Sequence, residues 1–367
     1  MKIGLLKEIK KEEYRVGLTP DSASEYIRAG HEVIIEASAG IGSGFSDSEY
    51  VEKGCKIESD RKKLCKDCEM IIKVKEPLKE EYTLFHEGQI LFTYFHLAPD
   101  RVLTQAMLDA KIIAIAYETV MEEDGSLPLL IPMSQIAGRL AVQEGAKYLE
   151  KTYGGEGILL GGVPGTRRGK VVILGGGITG TNACKIAVGM GADVTILDIS
   201  AKRLAELDDI FGSSITTLYS NSYNLDRVIR EADLIIGAVL IPGAAAPKLI
   251  KRADLKKMKP GTVLVDIAVD QGGCFETTKP TYHNEPTYII DGVVHYCVAN
   301  MPGCVSLSST YALTSVTNLY GLKIANMGIE KALRENKAIL SGLNCYKGKL
   351  TNKPVAEAHN MKYESYC

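Results

Sequence analysis

Long apolar runs are missing from this chain of 367 residues. No stretch approaches the roughly 18 to 20 apolar residues that are needed to cross a bilayer. The opening residues, Met1 to Lys7, also lack the apolar core of a secretory signal peptide. These two absences predict a protein that stays in the cytoplasm and does not bind or span a membrane.

An excess of charge of either sign is missing as well. The chain has 43 basic and 45 acidic side chains, a formal net charge of −2, and no extended run of either sign. Proteins that bind nucleic acid or anionic membranes usually carry a basic patch. The balance argues against both kinds of partner and favours chemistry on small molecules.

A clustered set of cysteines is the third absence. The nine cysteines are an odd number and are scattered along the chain, unlike the dense pattern of a small disulfide-bonded domain. We therefore expect reduced thiols. Cys65 and Cys68 form a C-x-x-C pair, but no second Cys or His pair follows at zinc-ligand spacing, so no metal site is expected.

The chain is long enough for two compact domains. Thr19 and Pro20 have the sequence pattern of a helix start, and Gly30 suits the end of that helix. Short β-rich apolar runs alternate with amphipathic stretches in the first third, which predicts a parallel sheet flanked by helices. The runs are Ile3 to Leu6, Val33 to Ile35, Met70 to Val74, Ile90 to Phe95 and Ile112 to Tyr117.

A helix predicted from Ser134 to about Thr152 connects this region to a second alternation, whose six apolar runs suit a complete doubly wound domain. From Leu307 to Leu340 the pattern is helical, and we expect this segment to return to the first domain. The predicted fold class is α/β, with two Rossmann-like, doubly wound domains and a cleft between them. The six runs are Val171 to Leu174, Val194 to Leu197, Ile215 to Tyr219, Leu234 to Val239, Val263 to Ile267 and His295 to Val298.

A glycine-rich turn in the second domain has the pattern of a dinucleotide-binding site. Gly175, Gly177 and Gly180 form G-x-G-x-x-G directly after a predicted strand and at the start of a helix rich in small residues. In this setting the first glycine makes the tight turn, the second lets the backbone approach a pyrophosphate, and the third packs helix against strand. The free N–H groups of the helix start then face the phosphates.

The next predicted strand ends in Asp198, 23 residues beyond Gly175. This is close to the spacing of roughly 20 residues at which an acid accepts the ribose hydroxyls. A carboxylate there repels a 2′-phosphate, so NAD is favoured over NADP. Arg203 leaves two alternatives open, since it can receive that phosphate or lie against the adenine ring.

Three cationic or titratable side chains come at the ends of predicted strands in the first domain. They are Arg15, Lys75 and His96, and the carboxyl edge of a parallel sheet brings such positions together. Taken singly, an exposed Arg or Lys is more often solvated surface, and a lone His more often has a structural role. The residues alone leave a structural role and a shared site equally open.

The second domain offers one candidate acid/base residue near the expected nicotinamide position. Asp270 lies just beyond a predicted buried strand, whereas Asp266 lies inside that strand and is interpreted as structural.

These segments together resemble the alanine dehydrogenase family, which shares its architecture with the nucleotide-binding subunit of proton-pumping transhydrogenases. The resemblance runs nearly end to end. It is carried by Arg15 to Pro20, Lys73 to Pro77, Thr93 to Pro99, Ser134 with Gly138 and Arg139, Gly161 to Gly165, the glycine turn, Val265 to Gly273, and His295 to Pro302.

The resemblance implies an oxidoreductase that converts alanine and NAD to pyruvate and ammonium, typically as a hexamer. It implies that Arg15 and Lys75 hold pyruvate and that His96 and Asp270 are the acid/base residues. On this basis residues 1–130 and 307–367 form the substrate domain, and residues 131–306 form the NAD-binding domain. Besides the glycine turn and Arg203, the implied NAD contacts are Ser134, Asp198, Ser220, Val239, Leu240, Ile267, Ala268, Val269, Asp270, Val298, Ala299, Asn300 and Met301.

Two segments depart from the family pattern, namely Gln135 and Thr166 to Arg168. Neither includes a proposed catalytic group, but the two arginines can alter a local interface. Three alternatives remain: a transhydrogenase subunit, an enzyme similar to saccharopine dehydrogenase, and a non-catalytic NAD-responsive protein. The combination of Arg15, Lys75 and His96, with no membrane segment after residue 330, argues against the first.

Overall fold

The structure is a computed structural model that describes residues 1–239 and 246–366. The chain divides into two compact units, one formed by Met1–Met133 with Gly303–Cys367 and the other by Ser134–Pro302. Each unit is built around one mainly parallel sheet. The predicted α/β fold class with two doubly wound units is therefore confirmed. Within the described residues, none of the helices combines the length and apolar character that a membrane span requires.

The first unit begins as an alternation of strands and helices. The helix α1 begins as predicted, because Thr19 and Ser22 cap each other reciprocally and Pro20 occupies the first turn. The elements in chain order are β1 (Lys2–Leu5), α1 (Pro20–Arg28), β2 (Glu32–Glu36), α2 (Asp47–Glu52), β3 (Lys56–Glu58), α3 (Arg61–Asp67), β4 (Met70–Ile72), β5 (Ile90–Thr93), α4 (Arg101–Asp109) and β6 (Ile113–Ala116).

The second unit repeats this alternation. The helix predicted from Ser134 runs from Ile131 to Tyr148, so it starts and ends a few residues earlier than expected. The elements are α5 (Ile131–Tyr148), β7 (Lys170–Leu174), α6 (Ile178–Gly189), β8 (Asp193–Asp198), α7 (Ala201–Phe211), β9 (Ile215–Tyr219), α8 (Ser222–Glu231), β10 (Leu234–Gly237), β11 (Val263–Asp266), β12 (Thr287–Ile290) and β13 (Val293–Tyr296).

The last segment returns to the first unit. The pattern predicted to be helical from Leu307 to Leu340 forms helices. The first of them ends at Gly328, which has a φ of +74°. A hairpin then extends the first sheet by pairing antiparallel with β6. The elements are α9 (Ser306–Met327), α10 (Ile329–Glu335), α11 (Lys337–Ser341), β14 (Leu343–Tyr346), β15 (Lys349–Leu350) and α12 (Lys353–His359).

Both sheets share one strand order. The first runs β3-β2-β1-β4-β5-β6 and continues into β14 and β15, and the second runs β9-β8-β7-β10-β11-β13 with β12 at its edge. In such a sheet the order reverses next to the first strand, and ligands bind beyond the carboxyl ends of the strands at that point. The crevice of the first unit therefore lies beyond β1 and β4, and that of the second beyond β7 and β10.

Alternate residues of the central strands contribute to cores on both faces of the first sheet. Ile90 and Phe92 of β5 belong to one buried cluster, while Leu91 belongs to the other. Helices cover both faces of such a sheet, which is why its strands are continuous apolar runs. The strand ends, and not the faces, are left for binding.

Candidate active site

The glycine turn after β7 has the geometry that its sequence predicts. Gly175 has a φ of +99°, and a Cβ on it would lie 2.9 Å from the carbonyl oxygen of Ala238, so only glycine fits this turn. A Cβ on Gly180 would lie 1.8 Å from the Gly175 carbonyl oxygen. Gly180 therefore allows α6 to start in contact with the end of β7.

Gly177 differs from the other two glycines, because an added Cβ would have no neighbour within 4 Å. Its open side is the side from which a ligand can approach the backbone. Ser134 lies beside the turn because α5 packs closely there, and a Cβ on Gly138 would lie 2.1 Å from the Thr179 carbonyl oxygen.

A cavity of about 410 Å³ opens at this turn. Its lining includes six residues predicted to contact NAD, namely Ser134, Gly175, Gly177, Asp198, Ser220 and Val239. The predicted contact Leu240 lies outside the described residues. The remaining lining residues were not predicted from the sequence, and they are Ile178, Thr179, Leu197, Ile199, Ala238, Pro247 and Leu249.

Asp198, the last residue of β8, is tied to the glycine turn. Its Oδ2 accepts the N–H of Gly176 at 2.7 Å, and its Oδ1 accepts the N–H of Ser200 at 2.8 Å. Arg203 donates to the Gly176 carbonyl oxygen and to Thr181 Oγ1, each at 2.7 Å, and its third partner is Glu206 at 2.7 Å. The guanidinium of Arg203 therefore supports the turn.

The other predicted NAD contacts come in the loops after β11 and β13. In the second sheet, β10, β11 and β13 follow one another on the side of β7 that faces away from β8. Asp270 is exposed in a short 3₁₀ helix beyond β11, and Asn300 has a φ of +63° beyond β13. None of these residues lines the cavity at the turn. They are Ile267, Ala268, Val269, Asp270, Val298, Ala299, Asn300 and Met301.

Asp266 has the structural role expected from its position inside β11. Its carboxylate is fully buried and accepts the backbone N–H groups of Ala268, Cys274 and Phe275. These bonds fold the chain after the strand and so place Asp270.

The first unit has its candidate groups at the carboxyl edge of β1, β4 and β5. Arg15 is only 3% exposed and pairs with Glu13 through two bonds, Nε to Oε1 at 2.7 Å and Nη2 to Oε2 at 2.5 Å. Its Nη1 also lies 3.0 Å from the sulfur of Met133. Although burial opposes charge, Glu13 raises the pKa of Arg15, so the guanidinium is a fixed cation.

Lys75 lies three residues beyond β4, not at its end as the sequence pattern suggested. Its backbone N–H donates to Glu8 Oε1 at 3.2 Å. Burial, with help from the charge of Arg15, lowers the pKa of Lys75. Arg15 is therefore near enough to Lys75 for the two positive charges to oppose each other.

His96 lies three residues beyond β5 with a left-handed backbone, φ +50°. Its side chain is exposed, and its ring stacks on Tyr94 with centroids 6.0 Å apart and 14° between the planes. The backbone N–H of His96 donates to Glu118 Oε1 at 2.6 Å. Burial alone would raise the pKa of Glu76. The charges of Lys75 and Lys10, with a smaller contribution from His96, outweigh burial and lower this pKa. The structure thus brings Arg15, Lys75 and His96 to one edge.

Three carboxylates at this edge were missed from the sequence. Glu13, Glu8 and Glu118 each accept the backbone N–H of one of the three candidate residues. Glu13 is only two residues from Arg15, so that contact is local. The contacts of Glu8 and Glu118 are made across the sheet, and no spacing rule reveals them.

Within the segments that depart from the family pattern, Arg167 has a structural contact, and the C-x-x-C pair is buried. Arg167 forms a two-bond ion pair with the buried Asp233 at 2.6 and 2.9 Å, next to the start of β10. Cys65 and Cys68 are buried, and burial raises the pKa of each thiol to about 12. Across residues 1–239 and 246–366 there is no cluster of three or more His, Cys, Asp or Glu side chains suited to a metal ion.

Fold and site together define a nucleotide-binding α/β protein in which a second doubly wound unit carries a set of cations. Family models for the two domains described as "Alanine dehydrogenase/PNT" match residues 4–137, the N-terminal domain, and residues 141–353, the C-terminal domain. The chain belongs to this family, as its sequence resemblance predicted.

Individual relatives match over their whole length. The alanine dehydrogenase of Methanococcus maripaludis is 58% identical over 364 residues, covering 99% of this chain and 98% of the relative. That of Geobacillus stearothermophilus is 57% identical over 367 residues, with coverage of 99% and 98%. A solved L-alanine dehydrogenase structure superposes with a TM-score of 0.96 at 51% identity, covering 98% of this chain and 99% of that one.

A transhydrogenase structure from Sinorhizobium meliloti also superposes, with a TM-score of 0.82 at 23% identity, covering 96% of this chain and 99% of that one. At this identity the likeness shows a common fold only.

Proposed function

We propose that this chain is an NAD-dependent L-alanine dehydrogenase that interconverts L-alanine with pyruvate and ammonium. The observation that carries the proposal is the position of Arg15, Lys75 and His96 beyond the carboxyl ends of the neighbouring strands β1, β4 and β5. It occurs in a chain 58% identical to a named alanine dehydrogenase. A cation pair suits a 2-oxo acid, and a neighbouring imidazole suits proton transfer.

The described residues fit NAD as the cofactor. The open side of Gly177 leaves room for a pyrophosphate, and Asp198 ends β8 where the ribose hydroxyls are expected. The three bonds that tie Arg203 to the turn and to Glu206 leave it poorly placed to receive a 2′-phosphate. NAD, when bound, accepts hydride from the alanine Cα. Residues Ile267 to Asp270 and Val298 to Met301 would hold its nicotinamide half.

The substrate would be held by the first unit. The Arg15 guanidinium binds the carboxylate, and the Lys75 ammonium binds the keto oxygen of pyruvate. Alanine reacts as the free amine, after its ammonium group has released one proton to solvent. Loss of hydride from the Cα of this amine gives an iminium, and water adds to its carbon. His96 or Asp270 takes the proton from that water and returns one to the nitrogen, so that ammonium leaves as pyruvate forms.

The test is turnover by purified wild-type protein and three variants. We expect NADH oxidation with pyruvate and ammonium, and loss of most turnover in His96→Ala and Asp270→Asn while NADH binding is retained. His31→Ala is the control for His96→Ala, since His31 lies in the same unit and bonds to Asn326 at 2.8 Å. Full activity in both His96→Ala and Asp270→Asn would overturn the assignment of roles.

A substrate panel separates the alternatives. Glyoxylate and other 2-oxo acids, each with and without ammonium, would be compared with pyruvate. Binding of NADH without turnover of any 2-oxo acid would instead favour a non-catalytic NAD-responsive protein.

We also propose that the protein is a cytoplasmic homohexamer, on the basis of the family resemblance alone. Light scattering should then give a mass about six times the 39.8 kDa of the chain.

A further inference from the structure

We propose that Glu118 is a positioning residue that holds His96 in the backbone conformation needed for proton transfer. This inference rests on the proposed function, because it assumes that His96 transfers protons to and from the substrate. Its structural part concerns only the described residues of the first unit and can be tested without turnover.

The sheet places Glu118 beside His96. Strands β5 and β6 are parallel neighbours in which Thr93 lies opposite Ala116. His96 comes three residues after Thr93, and Glu118 comes two residues after Ala116. Both side chains therefore emerge at the same carboxyl edge, on adjacent loops.

The carboxylate of Glu118 binds two successive backbone N–H groups. Oε1 accepts the N–H of His96 at 2.6 Å and that of Phe95 at 3.1 Å, and Oε2 accepts the N–H of Phe95 at 3.2 Å. Hydrogen bonds to an ionised acceptor are stronger than those between neutral groups. Glu118 therefore binds the backbone N–H of His96, and it acts on the imidazole only through the backbone conformation.

His96 needs such support because its φ is +50°. A non-glycine residue in the left-handed region is strained, and it persists only where its surroundings impose the conformation. Glycine would relieve the strain but would remove the imidazole. A carboxylate on the N–H of His96 is a direct way to hold this residue in place.

Glu118 is itself presented by a rigid turn. It lies in a 3₁₀ helix, Tyr117–Thr119, whose first residue is fully buried with its ring 5.0 Å from that of Tyr94. Thr119 Oγ1 accepts Asn344 Nδ2 at 2.7 Å, so β14 anchors the other end. A carboxylate fixed on both sides can define the position of what it binds.

The test compares Glu118→Ala and Glu118→Gln with a control that has the same local geometry. Asp47 accepts the backbone N–H of Ser38 at 2.8 and 3.1 Å, and Ser38 also has a left-handed φ of +61°. Asp47→Ala therefore removes an equivalent bond in the same unit at a place with no proposed role.

We expect Glu118→Ala to lower kcat about 100-fold, since a displacement of about 1 Å in a reacting group can cost this much. KM for alanine and the affinity for NADH should change by less than about threefold because Arg15 and the glycine turn are untouched. Glu118→Gln keeps an acceptor oxygen and should retain kcat within about tenfold. Asp47→Ala should keep wild-type kcat.

Two further readouts decide between positioning and general destabilisation. In a His96→Ala background, Glu118→Ala should cause almost no additional loss of kcat, because both changes remove the same function. Crystal structures should show that His96 leaves the left-handed region in Glu118→Ala.

Independent, multiplying losses in the double variant would overturn the proposal, as would wild-type kcat with unchanged φ in Glu118→Ala. A wild-type protein without alanine turnover would instead overturn the proposed function, so the two failures are distinguishable.

Discussion

Replacing Gly180 with alanine should destabilise the folded protein. The new Cβ would lie 1.8 Å from the Gly175 carbonyl oxygen, and contacts under 3.0 Å are essentially not seen for a real Cβ. The start of α6 would therefore have to move by about 1.2 Å, the difference between those two distances. Overpacking of this kind costs about 1 to 3 kcal/mol, and a unit of this size then loses several degrees in Tm.

Replacing Gly177 with alanine should have a different effect. No neighbour lies within 4 Å of the new Cβ, so the free energy of unfolding should change by less than about 1 kcal/mol, the scale of a helix N-cap change. The methyl group would instead occupy the side from which the pyrophosphate approaches. We expect NADH affinity to fall at least about 100-fold.

Two assays separate these effects, namely thermal unfolding without nucleotide and titration with NADH followed by fluorescence. Gly189→Ala is the control, because its Cβ also meets nothing within 4 Å but lies at the far end of α6. It should bind NADH normally and unfold no more easily than the wild type. Wild-type NADH affinity in Gly177→Ala would refute the assignment of the turn to the pyrophosphate.

Three further predictions concern charge. Because the pKa of Lys75 is lowered, this side chain should lose its charge at a pH below 10.5, and kcat/KM for pyruvate should fall there. Lys75→Arg should move this fall to higher pH. An unmoved pH profile would contradict the role of Lys75 in binding pyruvate. Although burial opposes it, hydrogen bonding from Arg167 holds the pKa of Asp233 at about 2. Its stabilisation should therefore be complete above the ordinary value of 3.8 and be lost as pH falls towards 2. In Asp233→Asn, the free energy of unfolding measured with urea should no longer change with pH over that range. At pH 7 it should be lower than in the wild type by about 1 to 3 kcal/mol. Asp198→Ser should raise activity with NADPH relative to NADH at least about tenfold, because it removes a charge that repels the 2′-phosphate; an unchanged ratio would count against this.

Most of the fold could be predicted because buried parallel strands are apolar runs with helices between them. The strands that were missed lie at or next to the edges of the two sheets, namely β3, β12, β14 and β15. The strand β12 is joined to β13 by Asp291 and Gly292, both with positive φ, and β14 to β15 by Lys347 and Gly348, again both positive. An Asp-Gly pair between apolar residues is a hairpin pattern, so β12 could have been found from the sequence.

The candidate site was predictable to a different extent in each unit. The glycine turn is local, so Gly175, Gly177 and Gly180 could be assigned roles from their spacing, and the cavity lies where that spacing indicates. Glu118 acts on a residue 22 positions away through the pairing of β5 with β6. Such a contact follows from sheet order, which periodicity alone does not define.

The central claim is that the protein makes alanine, and the most direct measurement is identification of the product. Purified protein would be incubated with pyruvate, NADH and ¹⁵N-ammonium, and the products resolved by mass spectrometry. The proposal predicts ¹⁵N-labelled L-alanine in an amount equal to the NADH consumed, and no NADH consumption when ammonium is omitted. Formation of lactate, or NADH consumption that does not depend on ammonium, would contradict it.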